Sequence, residues 1–270
     1  MRLTAAQLEQ YRRDGFLIFP DLFAADEVAI LRREVARVAR LETDAVVREG
    51  AARAPKSMFR LHETNGATAS PAFHALARTP RALAVAQQVL GDERLYLHHS
   101  KVNVKTAIEG SVWPWHQDYG SWMRDGIQAP ELATFMVALD DASEFNGCLY
   151  LLPGSHRAGR ADPYFDTSTA YKLWAVPPER MIEMLRAGPP PVAVTGRAGL
   201  AAIFHCNLMH ASGHNLSERD RWQAYLCFNR VANRPLDVDN PRPDYVRSRN
   251  WLPLTAASDD AVRETARVPA

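Results

Sequence analysis

Residues 95–105 read LYLHHSKVNVK and begin a series of short β-rich runs that decides the fold class. The later runs are ATFMVAL, CLYLL, PVAV, LAAIF and WQAYLCFNRV, and turn-rich stretches such as EFNG, LPGSH and TGRAG separate them. Helical patterns dominate the chain before this point. Helices first and many short strands afterwards predict an α+β chain, mainly β, whose body is a β-sandwich or barrel.

The first twenty residues carry local signals for one helix and one strand. Thr4 can cap a helix over residues 4–14, with Gln7 three positions later as in a capping box and Gly15 after the end. The apolar run FLIF, residues 16–19, is closed by a proline and predicts a strand.

Further patterns predict helices on either side of a polar segment. Apolar residues at helical spacing predict a helix over residues 25–41, and residues 80–90 predict another, with proline in its first turn. A fourth helix is predicted over residues 178–186. Residues 43–68 are polar and aperiodic, so they predict a loop that orders around a ligand. This loop and residues 161–174 are the candidates for a lid over the site.

The 270-residue length suits a single domain. We expect a mainly helical N-terminal part (1–92), a β core (93–235) and a C-terminal tail (236–270). The tail is rich in proline and arginine and is predicted to lie across the surface.

Composition excludes several classes of function. The 32 basic and 31 acidic residues give a net charge of +1. Binding to nucleic acid or to a membrane surface needs clustered positive charge, and this charge balance does not indicate any. The charged, amphipathic N-terminus is unlike a secretory signal. The three cysteines (Cys148, Cys206 and Cys227) share no CxxC spacing and are expected to be reduced, buried thiols. We therefore expect a cytoplasmic monomer or homodimer acting on a small molecule.

A metal-binding pattern lies in residues 113–122, which read WPWHQDYGSW. His116 and Asp118 are two positions apart, and residues at this spacing on a strand point to the same face. Two histidines and one carboxylate on one face of an octahedron leave positions open, as non-haem iron(II) oxygenases require. A solvated His–Asp pair is the alternative, because HxD arises by chance in many chains.

The segment from residue 199 to residue 229 offers His205, His210 and His214 as a third ligand. His205 ends an apolar run, His214 lies in a Gly-Asn turn, and His210 lies where the turn begins. Arg221 follows His210 by eleven positions, and an arginine in a dry pocket binds a carboxylate bidentately. A surface charge within the run ERDR is the alternative reading of Arg221.

Together these residues resemble the phytanoyl-CoA dioxygenase superfamily of iron(II)/2-oxoglutarate-dependent oxygenases. The similarity covers most of the chain, from QLEQYRRDGFLIFPDLFAADEVAILRREV through the HxD motif to the distal histidine and arginine. Within that superfamily it is greatest to bacterial proline 4-hydroxylases and ectoine hydroxylases. The segments that carry this are YLHHSKVNVK, SVWPWHQDYGSWMRDG, EFNGCLYLLPGSH, HCNLMHASGHNLS and RPDYVRSRNWLPL.

The resemblance implies a double-stranded β-helix (jelly-roll, cupin-like) core with flanking N-terminal helices. It also implies Fe(II), 2-oxoglutarate as co-substrate and O₂, with hydroxylation of an unactivated C–H bond and release of succinate and CO₂. By position, His116, Asp118 and His210 are the implied iron ligands. The implied 2-oxoglutarate contacts are Arg221, Ser212, Asn103 and Trp113.

The substrate contacts are the least constrained part of the prediction. Trp122 and Tyr225 occupy positions where the relatives place substrate-facing aromatics, and such rings can receive a cationic nitrogen. Lys101 or a loop arginine is the expected partner of a substrate carboxylate, and a solvated lysine at a sheet edge is the alternative reading of Lys101. His99 stands where these relatives carry glutamine, which changes a hydrogen-bonding group beside the substrate.

The leading prediction is hydroxylation of a free amino or imino acid. Tailoring of a larger natural product by hydroxylation, desaturation, cyclisation or epimerisation is the alternative in the same enzyme class, and a small charged pocket would favour the amino acid. A non-catalytic cupin-like binding protein and a zinc hydrolase are alternatives of other classes, since zinc accepts the same ligands.

Overall fold

The computed structural model describes residues 1–267. The helices are α1 (Ala5–Asp14), α2 (Ala25–Val38), α3 (Pro71–Arg78), α4 (Leu83–Leu90), α5 (Asp118–Trp122), α6 (Pro178–Ala187) and α7 (Ala261–Glu264). The strands are β1 (Phe16–Phe19), β2 (Val46–Glu49), β3 (Ala54–Phe59), β4 (Leu95–Lys105), β5 (Trp113–His116), β6 (Leu132–Ala138), β7 (Leu149–Leu151), β8 (Tyr164–Asp166), β9 (Leu173–Ala175), β10 (Val192–Val194), β11 (Ala201–His205), β12 (His210–Ser212) and β13 (Arg221–Arg230).

The strands form two antiparallel sheets. The major sheet has the order β1-β11-β6-β13-β4-β3-β2, and the minor sheet has the order β10-β7-β12-β5-β9-β8. Strands that are neighbours in a sheet are often far apart in sequence, as β4 and β13 are. Such pairing is typical of a jelly roll. The predicted α+β, mainly β class with a jelly-roll core and N-terminal helices is confirmed.

The two faces of the major sheet have different surroundings. On the outer face, α2, α3 and α4 bury side chains such as Leu31, Phe73 and Val85 against the sheet. On the inner face, an apolar cluster that includes Phe204 and Leu151 joins the two sheets. Both faces are therefore covered, and the polar residues of the inner face lie in a dry interior.

Local signals at the N-terminus act as predicted. The Thr4 hydroxyl accepts a hydrogen bond from the Gln7 amide, and the Gln7 side chain accepts one from the Thr4 amide. Gly15 ends α1 in the left-handed conformation, with φ of 85°. The cap holds β1 against β11 at the edge of the major sheet.

Two predictions for the N-terminal part are wrong in detail. Residues 43–68 are not one loop, because β2 and β3 form a hairpin that adds to the edge of the major sheet through β4. The helix predicted over residues 80–90 begins only at Leu83, and α3 precedes it. The Ser70 hydroxyl caps α3, and Pro80 disfavours helical conformation in the residue before it.

The tail does not simply lie across the surface. Residues 242–248, which we call the strap, run along the end of β4, and Val246 and Ser248 in the strap are only 3% and 2% exposed. The Ser248 amide donates to the His98 carbonyl at 2.8 Å. The sequence pattern does not predict this contact. Periodicity detects buried apolar residues, whereas the strap also buries polar groups against β4.

Two simpler expectations can be compared with the structure. Cys148, Cys206 and Cys227 are all buried and free, as predicted. Among residues 1–267, no helix combines the length and hydropathy that a membrane span needs.

Candidate metal centre and co-substrate pocket

The HxD motif lies at a junction between strand and helix. β5 ends at His116 and α5 begins at Asp118, so the expectation that both residues lie on one strand is wrong. The two side chains converge because the chain turns at Gln117, whose side-chain amide donates to the carbonyls of Gly159 and Asn207. Trp122 lies one helical turn after Asp118 and therefore on the same side of α5.

His116, Asp118 and His210 form a compact group in which each can offer one ligand atom, all within 4.8 Å of one another. Asp118 Oδ1 lies 3.9 Å from His116 Nε2 and 3.7 Å from His210 Nε2. β5 and β12 are paired, and His116 is the register partner of His210. The pairing of two minor-sheet strands therefore brings the two imidazoles together.

Hydrogen bonds on the far side of each residue orient these three groups. His116 Nδ1 lies 2.8 Å from the Pro114 carbonyl, and His210 Nδ1 lies 2.9 Å from the Leu208 carbonyl. A carbonyl can only accept, so Nδ1 carries the proton in both rings and Nε2 is free to bind a cation. The Thr134 hydroxyl donates to Asp118 Oδ2 at 2.9 Å, which leaves Oδ1 for the same cation.

The protonation states suit a metal. Burial lowers the pKa of His116 to about 3, with His210 adding to the shift, and burial likewise lowers the pKa of His210. Burial opposes ionisation of Asp118, but the neighbouring His210, Lys101 and His116 keep its pKa below the ordinary value. Two neutral imidazoles and one carboxylate, with the outer atoms satisfied, fit a divalent ion that keeps open positions.

The other two histidines considered as ligands lie elsewhere. His205 Nδ1 accepts a hydrogen bond from the Asn207 amide, and its ring lies 5.2 Å from that of His156. His214 is exposed to solvent.

A partly open cavity with about 340 Å³ of empty space, which includes some open solvent, is lined in part by the three residues. The residues lining it include Lys101, Asn103, Trp113, Ser212, Arg221 and Tyr225. Asn103, Trp113, Ser212 and Arg221, the residues predicted to contact 2-oxoglutarate, therefore share one cavity with the three candidate ligands.

The donors in this cavity are arranged for an anion. The buried Arg221 Nε, Gln223 Nε2 and Trp113 Nε1 have no hydrogen-bond partner within the part of the chain that the structure describes. Asn103 Oδ1 accepts from Ser57, so the Nδ2 donor of Asn103 remains available. Leaving several donors unpaired in a dry pocket is costly. A dicarboxylate such as 2-oxoglutarate would satisfy the donors of Arg221, Trp113 and Asn103, which line the cavity.

Arg221 is held rigidly at the far end of the cavity and is only 1% exposed. Its Nη1 donates to Gln223 Oε1 at 2.7 Å, and its Nη2 donates to the Gly147 carbonyl at 2.6 Å. Register pairing of β13 with β4 sets Lys105 opposite Arg221, Asn103 opposite Gln223 and Lys101 opposite Tyr225. A row of polar side chains therefore runs along the inner wall toward His99.

The predicted substrate contacts lie in two places along this wall: near its Arg221 end and near its His99 end. The Tyr225 hydroxyl donates to Gln223 Oε1 at 2.8 Å, which puts it in the half that contains Arg221. The Lys101 ammonium lies 4.7 Å from the centre of the Trp113 ring and 5.4 Å from that of Tyr225. His99 and Trp122 lie farther along, with ring centres 6.4 Å apart.

Sequence reasoning missed three residues of this site. Thr134 supports Asp118 from β6, Tyr171 packs with its ring centre 5.2 Å from that of Trp113, and Arg242 of the strap binds Asp125 just after α5. Alternation along ATFMVAL, with Thr134 as its one polar member, was the available signal for the first. Tyr171 and Arg242 lie in aperiodic segments that carry no such signal.

Both candidate lid segments contribute aromatic rings to one cluster. Tyr171 comes from residues 161–174 and Phe59 from residues 43–68, and their ring centres are 5.6 Å apart. Phe59 also lies 5.4 Å from the His99 ring. The rings cover the end of the wall opposite Arg221.

The fold and the donor set are those of a non-haem iron(II) oxygenase, and the comparisons agree. The family model described as phytanoyl-CoA dioxygenase matches residues 11–222. The chain belongs to this family, and it is an iron(II)- and 2-oxoglutarate-dependent dioxygenase.

Two curated relatives are similar over nearly the whole chain. An ectoine dioxygenase of Nocardia farcinica is 35% identical over 263 residues, covering 92% of this chain and 86% of the relative. The L-proline trans-4-hydroxylase of Streptomyces griseoviridis is 32% identical over 262 residues, covering 93% and 95%. The crystal structure of EctD from S. alaskensis with 2-oxoglutarate and 5-hydroxyectoine superposes with a TM-score of 0.80 at 32% identity, covering 95% of this chain and 88% of that one.

Proposed function

We propose that this enzyme hydroxylates an unactivated C–H bond of a free amino or imino acid, or of a similar small zwitterion, in the cytosol. The observation that carries the proposal is the size and charge of the cavity. The empty space in it is about 340 Å³, part of which is open to solvent. It is lined by Lys101 and Arg221, and it has to receive 2-oxoglutarate as well as part of the substrate. Relatives named for ectoine and L-proline, both small and polar, support the same class.

In this proposal His116, Asp118 and His210 hold iron(II). Their outer hydrogen bonds keep Nε2 of each histidine and Oδ1 of Asp118 aimed at one point. When bound, iron(II) with 2-oxoglutarate and O₂ supplies the oxidant for C–H hydroxylation and yields succinate and CO₂.

Arg221 receives the far carboxylate of 2-oxoglutarate, with Ser212, Asn103 and Trp113 around the co-substrate. The unpaired Nε of Arg221 and Nε1 of Trp113 support this orientation, because both residues line the cavity and both donors lack a partner within residues 1–267. An oxidation that consumes 2-oxoglutarate needs such a dry, donor-rich end, and a zinc hydrolase does not.

The substrate occupies the other half of the wall, between Lys101, His99 and Trp122. Burial lowers the pKa of Lys101, and the nearby Asp118 carboxylate only partly opposes this shift. A substrate carboxylate would therefore stabilise the charged form of Lys101. Tyr225 contributes its ring face beside Lys101 rather than its hydroxyl. A larger natural product would need a wider and less charged cleft than this one.

The test uses enzyme purified without oxygen and loaded with iron(II) and 2-oxoglutarate. We expect a metal-to-ligand absorption band when 2-oxoglutarate is added, and succinate release that an amino or imino acid stimulates once air is admitted. Absence of the band would contradict the cofactor assignment. A band with stimulation only by larger metabolites would contradict the substrate class alone.

A further inference from the structure

The strap makes one contact inside the substrate half of the site. His99 Nδ1 lies 2.6 Å from the Val246 carbonyl oxygen. The carbonyl can only accept, so Nδ1 must carry the proton that it donates. Burial and the nearby Arg242 and Lys101 cations lower the pKa of His99 well below its ordinary value, so the ring is neutral. A neutral imidazole protonated at Nδ1 has an unprotonated Nε2, which can only accept a hydrogen bond.

His99 faces the interior where the substrate is proposed to bind. It is the register partner of Cys227 and belongs to the inner row that continues through Lys101 and Asn103. Its ring lies between those of Phe59 and Trp122, at 5.4 Å and 6.4 Å. Within residues 1–267, the Val246 carbonyl is the only hydrogen-bond partner of the His99 ring.

Arg242 holds the strap in this position. Its guanidinium binds the Asp125 carboxylate, with Nη2 at 2.5 Å from Oδ2 and Nε at 3.0 Å, and the Arg242 amide donates to Oδ1 at 3.1 Å. The Asp125 side chain is fully buried and lies 3.1 Å from His98 Nε2. At the other end of the strap, the Ser248 hydroxyl donates to Glu63 at 2.7 Å. The Val246 carbonyl is therefore fixed from both sides.

We propose that the strap sets the hydrogen-bonding polarity of the substrate pocket: by holding the Val246 carbonyl against His99, Arg242 makes His99 an acceptor-only group. The substrate must then present an N–H or O–H donor at this point, which selects for the nitrogen of an amino or imino acid. This inference rests on the proposed function for its substrate and extends it to a segment outside the jelly roll. Arg242 is a positioning residue in this scheme, and His99 is the contact.

The geometry suits such a substrate. His99 and Lys101 are two positions apart on β4, so their Cα atoms are separated by roughly 7 Å along the strand. Lys101 can receive the carboxylate while His99 Nε2 accepts from the amino nitrogen, because these two groups are neighbours in an α-amino acid. A glutamine in place of His99 could donate as well as accept, so it would not impose this polarity.

The first experiment reads the tautomer directly. Long-range ¹H–¹⁵N spectra of histidine-labelled enzyme, loaded with Zn(II) and 2-oxoglutarate, show which nitrogen of each of the nine histidines carries a proton. The His99 signals are those missing from His99→Gln. We expect Nδ1 protonated and Nε2 bare, and a proton on Nε2 of the wild-type ring would overturn the proposal.

The second experiment tests the polarity with two probes of similar shape. L-proline offers N–H donors, and (S)-tetrahydrofuran-2-carboxylate offers only a ring oxygen acceptor at the same place. Binding is followed by the change in the iron(II)–2-oxoglutarate band and by succinate release. We expect wild-type enzyme to prefer L-proline and His99→Gln to reduce that preference by about tenfold or more. An unchanged preference in His99→Gln would overturn the proposal.

The third experiment separates positioning from general stability. Arg242→Gln should raise KM for the donor probe with little change in kcat and should allow protonation of His99 Nε2, while Arg242→Lys should restore part of both. Arg263→Gln is the matched control, because Arg263 anchors the tail to Asp26 in the first turn of α2, at 2.7 Å. Equal effects of Arg242→Gln and Arg263→Gln would contradict a specific role for the strap. If no amino acid shifts the band, the proposed function fails, while the tautomer result still decides the strap contact.

Discussion

The Thr134 hydroxyl donates a hydrogen bond to Oδ2 of Asp118 at 2.9 Å, from the central region of the major sheet to the first residue of α5. This bond occupies one carboxylate oxygen and leaves Oδ1 facing His116 and His210. The bond connects β6 to Asp118, which lies on the short helix α5, whereas His116 and His210 lie on strands. The affinity of the site for iron should therefore depend on a residue that does not touch the metal.

We expect Thr134→Val to weaken iron(II) binding by about tenfold or more, because the variant keeps the side-chain shape but leaves Asp118 Oδ2 without its donor. Anaerobic titration with iron(II), read through the 2-oxoglutarate absorption band, measures the effect. Thr134→Ser keeps the hydroxyl and should stay close to wild type. Wild-type affinity in Thr134→Val would show that the bond does not support the site.

Replacement of His210 by alanine should abolish iron binding, because only two of the three convergent ligand atoms remain. His205→Ala and His214→Ala are the controls, since their side chains lie outside the group. Iron content after anaerobic reconstitution decides among the three variants. Loss of iron in either control, with retention in His210→Ala, would make His210 the wrong third ligand.

Arg221→Met should raise the dissociation constant of 2-oxoglutarate by about tenfold or more, because a carboxylate that enters a dry pocket loses its charged partner. Arg221→Lys should recover only part of the affinity, since an ammonium cannot form the same bidentate contact. Titration of the iron(II)-loaded enzyme with 2-oxoglutarate measures both. Iron binding itself should be retained, and unchanged co-substrate affinity in Arg221→Met would contradict the assignment.

Lys105 should make the stability of the fold depend on pH. Its ammonium donates to the carbonyls of Ser111 and Gly213, and burial, together with the charges of Arg221 and Lys56, lowers its pKa to about 6. The unfolded chain holds this proton up to its ordinary pKa of about 10.4. Between these values the unfolded state binds more protons, so Lys105 makes the free energy of unfolding rise as the pH rises.

Lys105→Met removes that contribution. The increase in the free energy of unfolding between about pH 6 and pH 10 should therefore be smaller in Lys105→Met than in wild type. Urea unfolding across this range measures the difference, and it isolates Lys105 because the other titrating groups are common to both proteins. Equal pH dependence in the two proteins would show that Lys105 is not perturbed in the fold.

The elements that rest on neighbouring residues could be predicted from the sequence. The capping box of Thr4 and Gln7, the strands β4, β6 and β13, and helix α6 follow from caps and periodicity. The signals for the iron ligands are weaker. HxD is a weak motif, and local context together with the family resemblance favours His210 over His205 and His214; the structure brings His210 alone of these into the group.

Details of the site depended on tertiary packing. Asp118 was expected on a strand but begins a helix, because the chain turns at a glutamine held by carbonyls of two distant segments. The sequence of the β2–β3 hairpin predicts a loop, because its strands are short and polar and β2 forms the edge of the major sheet.

By itself, then, the sequence determined the mainly β class and the residue types that can bind a metal and a carboxylate, which depend on local patterns and on the chemistry of individual side chains. The resemblance to a known family added the jelly roll, 2-oxoglutarate and the departure at His99. Only the tertiary structure decided that Thr134 supports Asp118, that Arg242 reaches Asp125 across 117 positions of the chain, and that Val246 fixes the tautomer of His99. Such contacts join segments whose separation leaves no periodic trace, because burial of polar groups between distant strands is settled by packing geometry and not by local propensity.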